Sequence, residues 1–150
     1  MVSEIGVLLG DPRSEHVRLT VLGRERPASA DYDDDNWLIG RVALAVSGFR
    51  ADYPASLRSD DFDQLRRVLR SIRNPGSDSS NWEPMEPWIE LAFETGGDII
   101  EVRGVASEQI GYGNSLRFSM PLSVVSIDRA LGDLDELLTI FPVPEQPATA

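Results

Sequence analysis

The residues Trp88-Ile89-Glu90-Leu91-Ala92-Phe93-Glu94-Thr95-Gly96-Gly97-Asp98-Ile99-Ile100-Glu101-Val102-Arg103-Gly104-Val105 decide the fold. Ile89, Leu91 and Phe93 alternate with Glu90, Ala92 and Glu94, and the alternation resumes beyond the glycines with Ile100, Val102 and Gly104. A period of two places each set on one face of a strand, and glycine reaches the positive φ that a tight hairpin needs. Antiparallel strands are therefore predicted at Trp88–Glu94 and Asp98–Val105. A third, Ser115–Leu122, keeps the phase with Leu116, Phe118, Met120 and Leu122.

Downstream, Ser126 is positioned to cap a helix with Ile127, Leu131, Leu134, Leu138 and Phe141 at helical spacing, ended by Pro142. Upstream, Ser77–Asn81 reads as a polar linker, preceded by a helix from a Ser59 cap to about Asn74. Phe62, Leu65, Val68, Leu69 and Ile72 make the apolar stripe of that helix; Asp60, Asp61 and Asp63 suit its positive end, and Arg66, Arg67, Arg70 and Arg73 its negative end. Val42, Leu44 and Val46 mark another strand from Trp37, turning at Gly48 into Phe49–Tyr53 until Pro54 weakens pairing. Val7–Leu9 and Val17–Leu22 make a short hairpin, and Gly23–Asn36 a polar loop.

The expected class is α+β, a mainly antiparallel sheet with two helices packed on one face. A chain of 150 residues fits one domain, divided into an N-terminal hairpin and acidic loop (1–36), a main core (37–143) and a frayed tail (144–150). The order of strands followed by a helix occurs twice. The opposite sheet face carries Arg41, Glu90, Glu94, Glu101, Arg103 and Arg117, where Glu101 can pair with Arg117, or Glu90 with Arg103, across strands.

The chemical inventory is sparse. With no Cys there is neither a disulfide framework nor a thiolate metal site. The lone His16 has no nucleophile or acid fixed near it by spacing, and no nucleophile elbow or His-Glu-x-x-His motif occurs. Asp31-Tyr32-Asp33-Asp34-Asp35-Asn36 starts like a calcium loop, then has Asn36 and Val42 where glycine and a bidentate acid are needed. Gly111-Tyr112-Gly113-Asn114 lacks the Lys and following helix of a phosphate loop. No catalytic residue, cofactor or metal is expected. The start of the chain shows no basic stretch ahead of an apolar run, and no apolar window reaches bilayer length, so a cytoplasmic protein is expected, away from membranes.

Charge says more. The net charge is -11, and every one of the 14 cationic side chains is Arg. Residues 83–108 carry seven acids against one Arg. Such a balance repels nucleic acid and steers a basic protein inward, which points to a protein partner. The residues expected to meet it are Asp31, Asp33, Asp34 and Asp35 of the acidic run, Glu83 and Glu86 ahead of the Trp88 strand, and the neighbouring aromatics Trp37 and Trp82 as anchors.

Glu83-Pro84-Met85-Glu86-Pro87-Trp88-Ile89-Glu90-Leu91 is an unusual lead-in, its prolines enforcing extended backbone just before pairing begins. Taken with Gly48-Phe49, the Asp61-Phe62 to Leu69 helix, Gly113-Asn114-Ser115-Leu116-Arg117-Phe118 and Phe141-Pro142-Val143, the chain resembles the bacterial WapI-like immunity proteins over about residues 37–143. The resemblance implies a small cytoplasmic, non-enzymatic antidote that binds the toxic C-terminal domain of a wall-associated or contact-delivered toxin. It assigns no functional residue. Two other readings rest on the residues themselves: an interaction module of another purpose, homo-oligomeric through its exposed sheet or edge strand, and a small hydrolase built on His16 and nearby acids.

Overall fold

The computed structural model describes residues 5–26, 36–74, 76, 78–96 and 98–144. Strands β1 (Ile5–Gly10), β2 (His16–Arg24), β3 (Trp37–Val46) and β4 (Phe49–Arg58) form one antiparallel sheet in that order, followed by helix α1 (Ser59–Arg73). Strands β5 (Ser79–Trp82), β6 (Ile89–Gly96), β7 (Ile99–Ser107) and β8 (Ser115–Ser123) form a second, followed by helix α2 (Val124–Ile140). The α+β class and the twofold order of strands and helix are as the alternation predicts. The single sheet is not: the strands divide into two sheets of four, one on each side of α1 in sequence.

Both halves contribute to one continuous hydrophobic core. Leu65, Leu69, Leu91, Phe93, Val102, Phe118, Leu134 and Leu138, predicted to share it by their phase, are all buried there. On β7, Gly104 makes room for a neighbour: a Cβ at that position would lie 2.2 Å from Cζ of Phe118, its cross-strand partner on β8. The helices pack against each other, flanked by Arg66–Asp135 (3.1 Å) and Arg73–Asp128 (2.7 Å). Exposed pairs of this kind contribute about 0–1 kcal/mol each, so the apolar seam dominates.

Helix α2 also closes an open sheet edge. Asp133 Oδ2 accepts from Leu8 N (3.1 Å), and Ser126 Oγ accepts from Gly10 N (2.8 Å), so side chains of the helix satisfy β1 where another strand would otherwise sit. Ser126 is therefore not the helix cap; Ser123 is, its Oγ accepting from Ser126 N at 3.1 Å. Ser59 does not cap α1 either. The cap position is Arg58, whose N donates to Asp61 Oδ2 (2.8 Å), while Ser59 is buried and its Oγ has no hydrogen-bond partner.

Two further boundaries move. β4 runs through Pro54, opposite Arg41, to Arg58, because an edge strand tolerates a proline whose ring faces away from the ladder. Ser79–Trp82 pairs with Leu91–Glu94 instead of remaining a linker, since β6 otherwise leaves its backbone groups on that side unpaired.

Candidate protein-binding surface

The lead-in to β6, residues 83–88, is fixed at both ends by buried or partly buried bonds. At its start, Trp82 Nε1 donates to the Asp61 carbonyl (2.8 Å), and Met85 N donates to Asp61 Oδ1 (3.2 Å). The same carboxylate, fully buried, also accepts from Arg58 N (2.8 Å) and Arg58 Nη2 (3.0 Å). At its end, the Trp88 carbonyl accepts from Tyr53 Oη (2.6 Å) and Ser107 N (3.0 Å). Burial pushes the Tyr53 phenol far above its ordinary pKa, the Ser107 backbone bond only partly opposing it, so the hydroxyl remains a donor. Trp88 Nε1 holds the Glu86 carboxylate at 3.0 Å.

What this scaffold presents is an exposed Glu83, a Met85 that is 64% exposed, and a half-buried Glu86. Glu86 lines a cleft of about 380 Å³ with Trp37, Glu25, Arg26 and Ser56. Glu83 borders a concavity of about 570 Å³ on the outer face of the second sheet, with Glu90, Arg103, Arg117 and Ser119. There Arg103 turns to Glu101 of its own strand (3.1 Å), so neither expected cross-strand pair forms. Hydrogen bonds from Arg103 and then Ser119 hold the Glu101 carboxyl below its ordinary pKa.

Of the sequence-predicted contact residues, Trp37 and Glu86 meet in one cleft, and Glu83 lies on the same lead-in. Trp82 is a correction: it is 1% exposed and belongs to the core, so no partner reaches it in the folded state. Met85 is the exposed apolar side chain in its place. Sequence reasoning missed it, although its position between Pro84 and Pro87 was the available signal. Asp31, Asp33, Asp34 and Asp35 lie outside the described residues, whereas the second half of the would-be calcium loop is described, with Trp37 to Val42 in strand β3. Asn36 is buried and bonded both ways to Asp60, at 2.7 and 3.0 Å, which sets the end of the acidic run at the start of α1, one residue from Asp61.

His16 sits at a shallow cleft with Arg50 and Asp52, its Nδ1 3.3 Å from the Ser14 carbonyl. Asp52 is bonded to Arg41 (2.8 Å), and no described hydroxyl is hydrogen-bonded to the imidazole. Among the described residues, the cleft at His16 is open and has Asp52 as its one acid. Among the described residues no group of three or more His, Cys, Asp or Glu is disposed to hold a metal ion. No helix among them is long and apolar enough to cross a membrane.

Fold and surface together define an acidic, two-sheet α+β protein with a charged, hydrogen-bonded lead-in flanked by clefts. The chain belongs to the Immunity protein WapI-like family, whose model matches residues 8–142. That match reaches well into the N-terminal hairpin, beyond the 37–143 over which the resemblance is legible by motif. Membership in this family suggests an immunity function and a protein partner. No curated protein matches the sequence. A crystal structure of Trypanosoma bruciei MRP1/MRP2 is similar at 9% identity, over 93% of this chain and 86% of that one, with a TM-score of 0.48.

Proposed function

We propose that this protein is a cytoplasmic, non-enzymatic antidote that neutralises the toxic C-terminal domain of a bacterial toxin by binding it. Family membership supports immunity as the role. The observation that carries the mechanism is the lead-in: buried Asp61 and Trp82 hold a short bent segment that exposes Met85 between Glu83 and Glu86. A preorganised apolar anchor flanked by carboxylates gains affinity from desolvating the methionine and association rate from charge. The negative charge of the Asp31–Asp35 run adds to the steering of a basic partner.

The partner this surface fits is basic. A toxin that attacks RNA presents cations to phosphates, and an acidic antidote competes for that surface. Co-expression tests the proposal: the toxic domain encoded beside this gene should arrest growth alone and should co-purify with this chain, growth restored, when both are made. Continued toxicity, with no complex recovered, overturns it.

A further inference from the structure

One end of the outer face of the first sheet, away from the Trp37–Glu86 cleft, has a charge opposite to that of the molecule. Its middle strand presents Ala43 and Ala45, and around them stand His16 and Arg18 on β2, Arg41 on β3 and Arg50 on β4. Asp52 is the one acid on the outward positions of these strands, and Arg41 engages it at 2.8 Å. The side chains of Arg18 and Arg50 are exposed and make no ion pair or hydrogen bond among the described residues. Around the two alanines, three Arg against one Asp leave +2 on a chain of net charge -11. The outer face of the second sheet differs in sign, with Glu90, Glu94 and Glu101 against Arg103 and Arg117.

We propose that this face binds an acidic, extended polypeptide segment of a protein partner. The register sets His16, Ala45 and Arg50 in one row and Arg18, Ala43 and Asp52 in the next; a cleft of about 320 Å³ is lined by His16, Ala43, Ala45, Arg50 and Asp52, and Arg18 stands beside Ala43 at its edge. Arg18 and Arg50 lie two strands and one row apart, about 12 Å on the diagonal, whereas carboxylates at alternate positions of an extended segment repeat every ~7 Å. A run of acids crossing the alanines meets one guanidinium and then the other. Alanine side chains let its backbone approach, and each free guanidinium offers a fork that fits a carboxylate.

Nucleic acid suits the face less well. Its phosphates continue past the dish into the field of an acidic molecule, and the exposed Phe49 beside Arg50 stands at the end of β4, outside the two rows. The sign of the charge also separates this partner from the basic one proposed for the Glu83–Glu86 lead-in.

The test uses the full chain and a fluorescent 12-residue peptide alternating Glu and Ala, with an alternating Ser and Ala peptide and a 12-nucleotide single strand as comparators. The acidic peptide should bind measurably tighter than the Ser peptide, with affinity falling as salt rises from about 50 to 300 mM. Arg18→Ala with Arg50→Ala should weaken it about tenfold or more, while Arg67→Ala on α1 leaves it unchanged. Because Arg18 and Arg50 are exposed and unpaired, the double variant keeps the wild-type circular dichroism. Binding no tighter than that of the Ser peptide, or indifferent to the double substitution, overturns the proposal. So does tighter binding of the oligonucleotide through the same two arginines, which makes the face a nucleic-acid site.

Discussion

Asp61→Ala removes the carboxylate that ties the cap of α1 to the lead-in of β6. Asp61 is fully buried and accepts from Arg58 N, Arg58 Nη2 and Met85 N at 2.8, 3.0 and 3.2 Å. The variant takes this counter-charge from a guanidinium whose side chain is only 15% exposed, and leaves two backbone donors without their acceptor. Removing one partner of a buried ion pair costs about 3–5 kcal/mol. Each orphaned donor adds about 1–3 kcal/mol if water cannot reach it, but the three bonds share one site and do not sum. The expected loss is about 4 kcal/mol, equivalent to a fall of roughly 10 °C in Tm for a chain of this size. Urea unfolding followed by tryptophan fluorescence measures the loss, and hydrogen exchange at the Met85 amide reports whether the lead-in loosens first. A change below about 1 kcal/mol, with Met85 exchanging at the wild-type rate, would refute the claim that Asp61 fixes this surface.

The other substitutions separate core from surface. Trp82→Ala should cost about 3–5 kcal/mol in urea unfolding, since it empties a core site and frees the Asp61 carbonyl; unchanged stability would mean that Trp82 is not packed there. Ser59→Ala should be neutral or stabilising because its buried Oγ has no partner, whereas a true cap would lose about 1 kcal/mol in the same measurement. Partial burial pushes the Asp63 carboxyl up, but bonds from Arg66 and Arg67 and their charges outweigh it and hold the carboxyl below its ordinary pKa. A depressed folded-state pKa adds stability that is present above the unfolded value of about 3.9 and lost as pH falls through the folded one. Urea midpoints of wild type and Asp63→Asn should therefore differ near neutrality and converge below about pH 4; a constant gap would contradict this.

Alternation made the sheets legible: Ile89, Leu91 and Phe93, with Val102 and Met120, sit on the inner face as their period requires. Helix stripes were equally plain. The division into two sheets was not, because periodicity sets which face a residue occupies and not which strand is its neighbour. Ser59 and Ser126 look like caps by residue type, yet each is buried, and the capping bonds come from Asp61 and Ser123, which only geometry reveals. Trp82 follows Ser79-Ser80-Asn81, and that polar run disguised an edge strand with its last side chain in the core. Glu83 and Glu86 were legible as an acidic pair; the exposure of Met85 depends on the Asp61 contact, 24 residues away. The cationic dish was hidden because Arg18, Arg41 and Arg50 stand on three strands and meet only through register.

The most direct test of the account is stopped-flow association of the full chain with the toxic domain encoded beside it, across a series of salt concentrations. Replacing Glu83 and Glu86 by Gln, together with Asp31, Asp33, Asp34 and Asp35 by Asn, should slow association severalfold and flatten its salt dependence. Met85→Ala should chiefly speed dissociation, by about tenfold for an anchor near the centre of the contact. Association and dissociation rates unchanged at low salt in both variants would contradict the account and place the toxin-binding surface elsewhere on the molecule.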